Sequence, residues 1–202
     1  MKNLLVIMFV FFSSLSFAQT EGYKVGDTAV DFDLKNIDGK QVSLKNYENA
    51  KGYIVIFTCN TCPYSIAYED RIIAIHNKYA PKGYPVVAIN PNDPNHPGES
   101  FVQMQERAKS KGFPFVYLSD PHQVYTKLYG ANRTPHTFIL SKTSTGNTVE
   151  YIGAIDSDTE LVKEGGDKFV EMALNSLLDN KKPATSFTKA IGCTIKWTKA
   201  AL

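Results

Sequence analysis

The sequence predicts an α/β fold in which a mixed central sheet is flanked by helices and carries an amino-terminal β-hairpin. Three observations support this prediction: apolar runs typical of buried strands, helical segments that alternate with those runs, and turn residues that separate pairs of short alternating segments. Strands that alternate with helices are typical of a sheet with parallel strands. The hairpins add antiparallel strands, so the sheet is expected to be mixed.

The first predicted elements are a hairpin and a buried strand. Residues 31–34 and 41–44 alternate polar and apolar side chains around the turn residues 36–40, which is the pattern of a β-hairpin. Residues 53–58 form a continuous apolar run. Such a run predicts a strand that is buried on both faces.

Helix-start signals organise the middle of the chain. Pro63 stands where a first helical turn tolerates proline, because an N–H at that position has no partner in any case. Ser100 and Gln103 have the spacing of a capping box. The predicted elements are a helix over 60–80, a strand over 84–90, a helix from Ser100 to about Lys111 and a short strand over 115–118.

The last predicted elements are a short helix, a second hairpin and a final helix. Asp120 is expected to cap the short helix with Pro121 at its first position, and Gly130 to end it. Residues 136–140 and 148–152 alternate around a polar turn, and residues 165–179 carry apolar side chains at helical spacing. The loop over 91–98 is interpreted either as a substrate-selecting lid or as a plain connection.

The amino terminus has the features of a cleavable secretory signal. Lys2 is followed by an unbroken apolar run over 4–12, and Ser16 and Ala18 supply small residues at the −3 and −1 positions of a cut after Ala18. We therefore expect a signal peptide over 1–18 and an exported, periplasmic protein; the alternative is an uncleaved anchor. The run is short for a bilayer span, so no stable membrane insertion is expected after cleavage.

Length and charge limit the remaining possibilities. The 202 residues are enough for one domain with a sizeable core, predicted over 19–180, followed by a tail over 181–202. The net charge is +2, without a long basic run. This small net charge gives no indication of nucleic-acid binding. A monomer is expected.

The chain contains three cysteines: Cys59, Cys62 and Cys193. An exported protein that is stapled by disulfides usually has more of them, in even number. Cys59 and Cys62 follow an apolar strand and precede a helical segment, so both are expected at a helix amino end, where N–H groups and the helix dipole favour a thiolate. A single close pair therefore indicates redox catalysis rather than structural cross-linking.

Three segments of the chain resemble the thioredoxin-like superfamily. Residues 25–44 are similar to its amino-terminal hairpin, residues 57–63 to its strand-to-helix redox motif, and residues 133–140 to the segment that bears its cis-proline. Over roughly residues 24–179 the chain resembles the exported redoxin branch, which includes TlpA-like thiol–disulfide oxidoreductases and the alkyl hydroperoxide reductase/thiol-specific antioxidant group. The resemblance implies a thioredoxin-like fold and a redox-active disulfide.

The resemblance also assigns roles to residues. It implies that Pro135 is cis and that Thr134 lines the substrate groove. Arg133 is expected to be a surface or carbonyl-binding residue rather than a peroxidatic arginine. We expect Cys59 to attack a substrate disulfide and Cys62 to resolve the mixed disulfide. No organic cofactor and no metal is implied, since the Cys59–Cys62 disulfide carries the electrons. The expected partners are protein thiols or disulfides and an upstream redox partner.

Two other functions use the same fold. A peroxiredoxin-like thiol peroxidase would have Thr three residues before its reactive cysteine, whereas Ile56 precedes Cys59 at that spacing. A Sco-like copper chaperone would have three residues between its cysteines and a distant histidine; here the gap is two, and His136 is the candidate histidine. Peroxidase and copper-binding functions remain as alternatives.

Two residues outside these motifs have open roles. Glu69 is the nearest candidate for a buried acid that transfers protons to the pair. Cys193 is expected to be a buried cysteine packed with Trp197. The alternatives for Cys193 are a third redox thiol that exchanges with Cys59, or an intermolecular bridge.

Overall fold

The computed structural model describes residues 22–158 and 166–200. The predicted signal peptide and its cut after Ala18 lie outside the described residues. None of the described helices combines the length and the apolar composition that crossing a membrane requires.

Most of the described secondary structure belongs to one mixed sheet with helices around it. The strands are β1 Thr28–Ala29, β2 Leu34–Asn36, β3 Gln41–Val42, β4 Gly52–Phe57, β5 Val86–Asn90, β6 Val116–Ser119, β7 Arg133–Thr134, β8 His136–Thr143, β9 Gly146–Gly153 and β10 Cys193–Thr194. The helices are α1 Pro63–Tyr79, α2 Phe101–Lys111, α3 Val124–Tyr129 and α4 Phe169–Leu178, and short 3-10 turns cover Leu44–Asn46 and Ala80–Lys82.

Eight strands form the main sheet in the order β1-β9-β8-β4-β5-β6-β2-β3. The central strands β4, β5 and β6 run parallel, and the hairpins β2–β3 and β8–β9 are antiparallel. The predicted α/β class with a mixed sheet and an amino-terminal hairpin is therefore confirmed. The strands β7 and β10 form a separate two-stranded antiparallel pair.

The central strand β4 divides the core into two layers. Successive side chains of a strand point to opposite faces, so Ile54 and Ile56 pack with α1, α2 and α4, while Tyr53, Val55 and Phe57 pack on the other face. Every residue of β4 is buried. The chain that leaves the carboxyl end of β4 therefore starts from a rigid position.

Two helix starts differ from the predicted ones. Helix α1 begins at Pro63 rather than at residue 60, with Cys62 as its N-cap. Helix α3 begins at Val124, so Pro121 is not its first residue. Gln123, not Asp120, is its N-cap, but the Asp120 carboxylate accepts hydrogen bonds from the backbone N–H groups of Val124 and Thr126 in the first turn. Gly130 ends α3 in the left-handed region, as predicted.

The remaining predictions of secondary structure hold with small shifts. The capping box of Ser100 and Gln103 starts α2. The second hairpin is longer than predicted, because pairing extends from His136 to Gly153. Helix α4 covers Phe169–Leu178 of the predicted 165–179; residue 165 lies outside the described residues.

Candidate functional site

Cys59 and Cys62 lie in the connection between β4 and α1, as the sequence predicts. Cys62 is the N-cap of α1, and its carbonyl oxygen accepts a hydrogen bond from Ile66 N at 2.9 Å. Both cysteines therefore precede the helix, whereas the sequence predicts a helix over 60–80 that would include Cys62. The N-terminal N–H groups of α1 point toward the segment that carries the two sulfur atoms.

Cys59 is a free thiol and is only 4% exposed. Its Sγ lies 3.1 Å from Thr134 Oγ1 and 3.7 Å from Ser65 Oγ, within hydrogen-bond reach of both hydroxyls. Burial, followed by the negative charge of Glu99, raises the pKa of Cys59; hydrogen bonds with Thr134, the Cys62 backbone and Ser65 oppose that rise. The thiol is therefore protonated at neutral pH and is not open to a large partner in this state.

Thr134 and Pro135 lie directly against the cysteines, and the peptide bond between them is cis, as predicted. Thr134 is fully buried. Its hydroxyl contacts Cys59, and its carbonyl oxygen lies 3.2 Å from Cys62 Sγ. The segment predicted to line the groove thus contacts the sulfur atoms of both cysteines. Arg133, the residue before Thr134, is partly buried.

Cys193 forms a disulfide with Cys62, and the two Cα atoms are 5.9 Å apart. The expectation that Cys193 is a buried cysteine packed with Trp197 is therefore wrong. Cys193 instead lies on β10, which pairs with β7 so that Cys193 faces Thr134 and Thr194 faces Arg133. The structure thus brings all three cysteines of the chain to one place. It leaves Cys59, rather than Cys193, as the unpaired thiol.

Glu99 is the acid that contacts the cysteine loop, and no motif in the sequence predicts this role. It is 1% exposed, and its two carboxylate oxygens accept hydrogen bonds from Asn60 N at 3.1 Å, Thr61 N at 3.0 Å, Thr61 Oγ1 at 2.5 Å and Asn90 Nδ2 at 2.9 Å. The loop over 91–98 packs on the same segment, because Gly98 O accepts a hydrogen bond from Asn60 Nδ2. Only its position directly before the capping box at Ser100 distinguishes Glu99 in the sequence.

Glu69 has a different role from the one considered in the sequence analysis. Its carboxylate accepts hydrogen bonds from Arg107 Nε at 2.6 Å and Arg107 Nη2 at 2.8 Å, and Lys111 Nζ lies at 3.4 Å. Glu69 is buried within this ion-pair network between α1 and α2. It therefore joins two helices, and the acid at the cysteine loop is Glu99.

His136 is buried directly after the cis-proline, with its ring 4.7 Å from that of Phe138. Burial lowers its pKa to about 4, so the ring is neutral at physiological pH. Among the described residues, no group of three or more His, Cys, Asp or Glu side chains has an arrangement that could hold a metal ion.

Fold and site together define a thioredoxin-like thiol–disulfide oxidoreductase. Two named relatives support this class: the thiol–disulfide oxidoreductase ResA of Geobacillus thermodenitrificans is 27% identical over 62% of this chain and 68% of its own, and that of Halalkalibacterium halodurans is 24% identical over 77% and 86%. The AhpC/TSA family model matches residues 25–149, more than half of the chain. The chain belongs to the AhpC/TSA family.

Solved structures agree with this fold. An uncharacterized conserved protein from Geobacillus kaustophilus is 31% identical, with a TM-score of 0.79 over 88% of this chain and 94% of its own. A hypothetical protein from Sinorhizobium meliloti is 29% identical, with a TM-score of 0.80 over 88% and 97%. The exposed lipoprotein thioredoxin Etrx1 from Streptococcus pneumoniae, 21% identical with a TM-score of 0.53 over 66% and 95%, shares the fold.

Proposed function

We propose that this chain is an exported thiol–disulfide oxidoreductase that exchanges disulfides with protein thiols through the redox pair Cys59 and Cys62. One observation carries the proposal: the free thiol of Cys59 and the disulfide-bonded Cys62 both contact the same residue, Thr134, through its hydroxyl and its carbonyl oxygen. A thiol held beside a disulfide is the arrangement that thiol–disulfide exchange requires.

The overall reaction converts a substrate disulfide and two protein thiols into two substrate thiols and a Cys59–Cys62 disulfide. A thiolate attacks one sulfur of the substrate disulfide, the second substrate sulfur leaves as a thiolate, and the other protein cysteine then displaces the first. Two electrons pass from the protein to the substrate. The chemistry needs no organic cofactor or metal, because the cysteines themselves carry these electrons.

The environment of Cys59 supports a reductant rather than an oxidant. A strong oxidant of this fold type stabilises its reduced form, including an acidic thiolate. Here burial and the charge of Glu99 raise the pKa of Cys59, which does not favour an acidic thiolate. We therefore propose that the dithiol gives electrons to oxidised partners.

Export is proposed from the amino-terminal signal over 1–18 and from the cysteine chemistry. Disulfides persist in oxidising compartments and are rare in the cytosol. The bond between Cys62 and Cys193 fits such a compartment. The partners would be protein disulfides that need reduction and a donor that restores the dithiol.

The test is a redox titration of the purified chain across dithiothreitol ratios, with alkylation and peptide mapping. We expect a two-electron transition nearer to about −270 mV than to about −120 mV, together with reduction of insulin disulfides. Cys62→Ser should abolish insulin reduction, whereas Ser110→Ala on the exposed face of α2 serves as the control. Absence of insulin reduction by the fully reduced wild-type chain would refute the proposal.

The same preparation separates the two alternatives. Rapid consumption of hydrogen peroxide that depends on Cys59 would favour the peroxidase, a function that the raised pKa of this thiol does not support. Copper that survives dialysis and protects the thiols from alkylation would favour the copper chaperone. We expect neither result.

A further inference from the structure

The carboxyl-terminal tail, residues 185–198, is anchored on both sides of Cys193. Ala190 and Ile195 are buried, and Ile195 belongs to the core layer that contains Phe57. The backbone N–H of Lys196 donates to Asn92 Oδ1 at 2.9 Å. The carbonyl oxygen of Lys196 accepts hydrogen bonds from Asp93 N and from Gln123 Nε2, each at 2.8 Å. The tail is therefore a fixed part of the domain.

The tail presents Cys193 as a short extended strand beside the cis-proline. The β10–β7 pairing places Cys193 opposite Thr134, whose carbonyl oxygen also contacts Cys62. At Gly192 the two backbones approach so closely that an added Cβ would lie 2.1 Å from Thr134 O. An extended partner segment cannot pair with this edge of β7 while β10 occupies it.

Accessibility differs among the three cysteines. Cys59 and Cys62 are 4% and 3% exposed, whereas Cys193 is partly exposed. A partner thiol or disulfide that approaches the folded chain therefore meets Cys193 before the buried pair. Rates of exchange depend on access as well as on thiolate character.

We propose that Cys193 is a third redox cysteine that relays exchange between outside partners and the buried Cys59–Cys62 pair. This inference rests on the proposed oxidoreductase function and identifies the cysteine at which its partners enter. In the reducing direction, the Cys193 thiolate attacks a partner disulfide, forms a mixed disulfide and releases one partner thiolate. Cys62 then attacks Cys193 Sγ, releases the second partner thiolate and forms the Cys62–Cys193 bond seen in the structure.

The next step transfers the disulfide from Cys193 to the buried pair. The Cys59 thiolate attacks Cys62 Sγ, the new Cys59–Cys62 disulfide forms, and Cys193 leaves as a thiolate that is free for a further exchange. One disulfide breaks and one forms in each step, so the two electrons lost by the cysteines equal the two gained by the partner. Reduction by an upstream donor runs through the same bonds in reverse.

The test compares wild type with Cys193→Ser in the reduction of dithiobis(nitrobenzoate) and of insulin by the reduced chain. Trp197 is the only tryptophan of the sequence and lies in the tail, so its fluorescence reports whether the tail remains docked. Gly192→Ala displaces the tail but keeps its thiol, and Ile191→Ala at an exposed tail position is the matched control.

A tail that relays exchange through Cys193 and a tail that only covers the buried cysteines give opposite results. If Cys193 relays exchange, Cys193→Ser slows both reductions by about tenfold or more with unchanged Trp197 fluorescence, since only the buried thiols remain. Oxidised wild type should then yield both Cys59–Cys62 and Cys62–Cys193 peptides. An unchanged or faster rate in Cys193→Ser would overturn the relay and leave the oxidoreductase intact, whereas no reduction by wild type would overturn both.

Discussion

Replacing Glu99 by glutamine should weaken the fold and acidify Cys59 at the same time. The carboxylate is the shared acceptor for the backbone N–H groups of Asn60 and Thr61, for the Thr61 hydroxyl and for the Asn90 amide. Each oxygen takes two of these four donors. Glutamine keeps one oxygen and puts an NH2 group in the place of the other, so two donors lose their acceptor.

The orientation of the new amide sets the size of the effect. A buried donor without a partner costs about 1–3 kcal/mol. Thr61 is exposed while Asn60 and Asn90 are buried, so the favoured orientation turns the NH2 group toward Thr61, where water can replace the lost acceptor. We therefore expect a loss of about 2 kcal/mol in the free energy of unfolding, near the lower end for two lost hydrogen bonds.

Urea denaturation of wild type and Glu99→Gln measures this loss. Glu106→Gln, at an exposed position on α2, is the control and should change the free energy of unfolding by less than about 0.5 kcal/mol. Thiolate absorbance, corrected with Cys59→Ser, should show a lower pKa for Cys59 in Glu99→Gln, because the Glu99 charge is the second cause of the rise. A variant as stable as the control, with an unchanged Cys59 pKa, would refute this account of the loop.

Three further predictions use the same preparations. Gly192→Ala should reduce the yield of the tail disulfide in air-oxidised protein by about tenfold, because its Cβ meets the backbone of Thr134; a normal yield by peptide mapping would show that the tail adapts. The lowered pKa of His136 means that the unfolded chain binds more protons below about pH 6.5, so about 3 kcal/mol of stability is lost as the pH falls from about 6.5 to about 4. Urea titrations should show this loss in wild type and in His122→Gln but not in His136→Gln. The raised pKa of Cys59 means that the unfolded chain loses its proton first, so stability should fall as the pH rises above about 8.5, and Cys59→Ser should remove that fall.

Local patterns in the sequence predict the parts of the site that lie within single elements. The pair at Cys59 and Cys62 follows a run of apolar residues that is typical of a buried strand, and the Thr134–Pro135 segment precedes another strand. Each motif occupies a few consecutive residues, so its position in the fold follows from the adjacent strand. The α/β class follows from the alternation of apolar strand-like runs and helical segments along the chain.

Long-range contacts place the parts of the site that local patterns in the sequence do not predict. Cys193 is 131 residues from Cys62, and the tail around it has no periodic pattern. The tail is fixed by the buried side chains of Ala190 and Ile195, by Trp197 packed on the core, and by hydrogen bonds with Asn92, Asp93 and Gln123. Two of the four donors to Glu99 are backbone N–H groups, which every residue but proline possesses. No residue type in the cysteine loop therefore reveals its partner.

The distance in sequence between the two ends of the tail disulfide also orders events during synthesis. At about 5–20 residues per second, roughly 7–26 s separate the appearance of Cys62 from that of Cys193. Any oxidation of the growing chain in that interval can join only Cys59 to Cys62. A chain that forms that pair reaches the bond to Cys193 by rearrangement rather than by direct oxidation, and a chain that stops before residue 193 never acquires it.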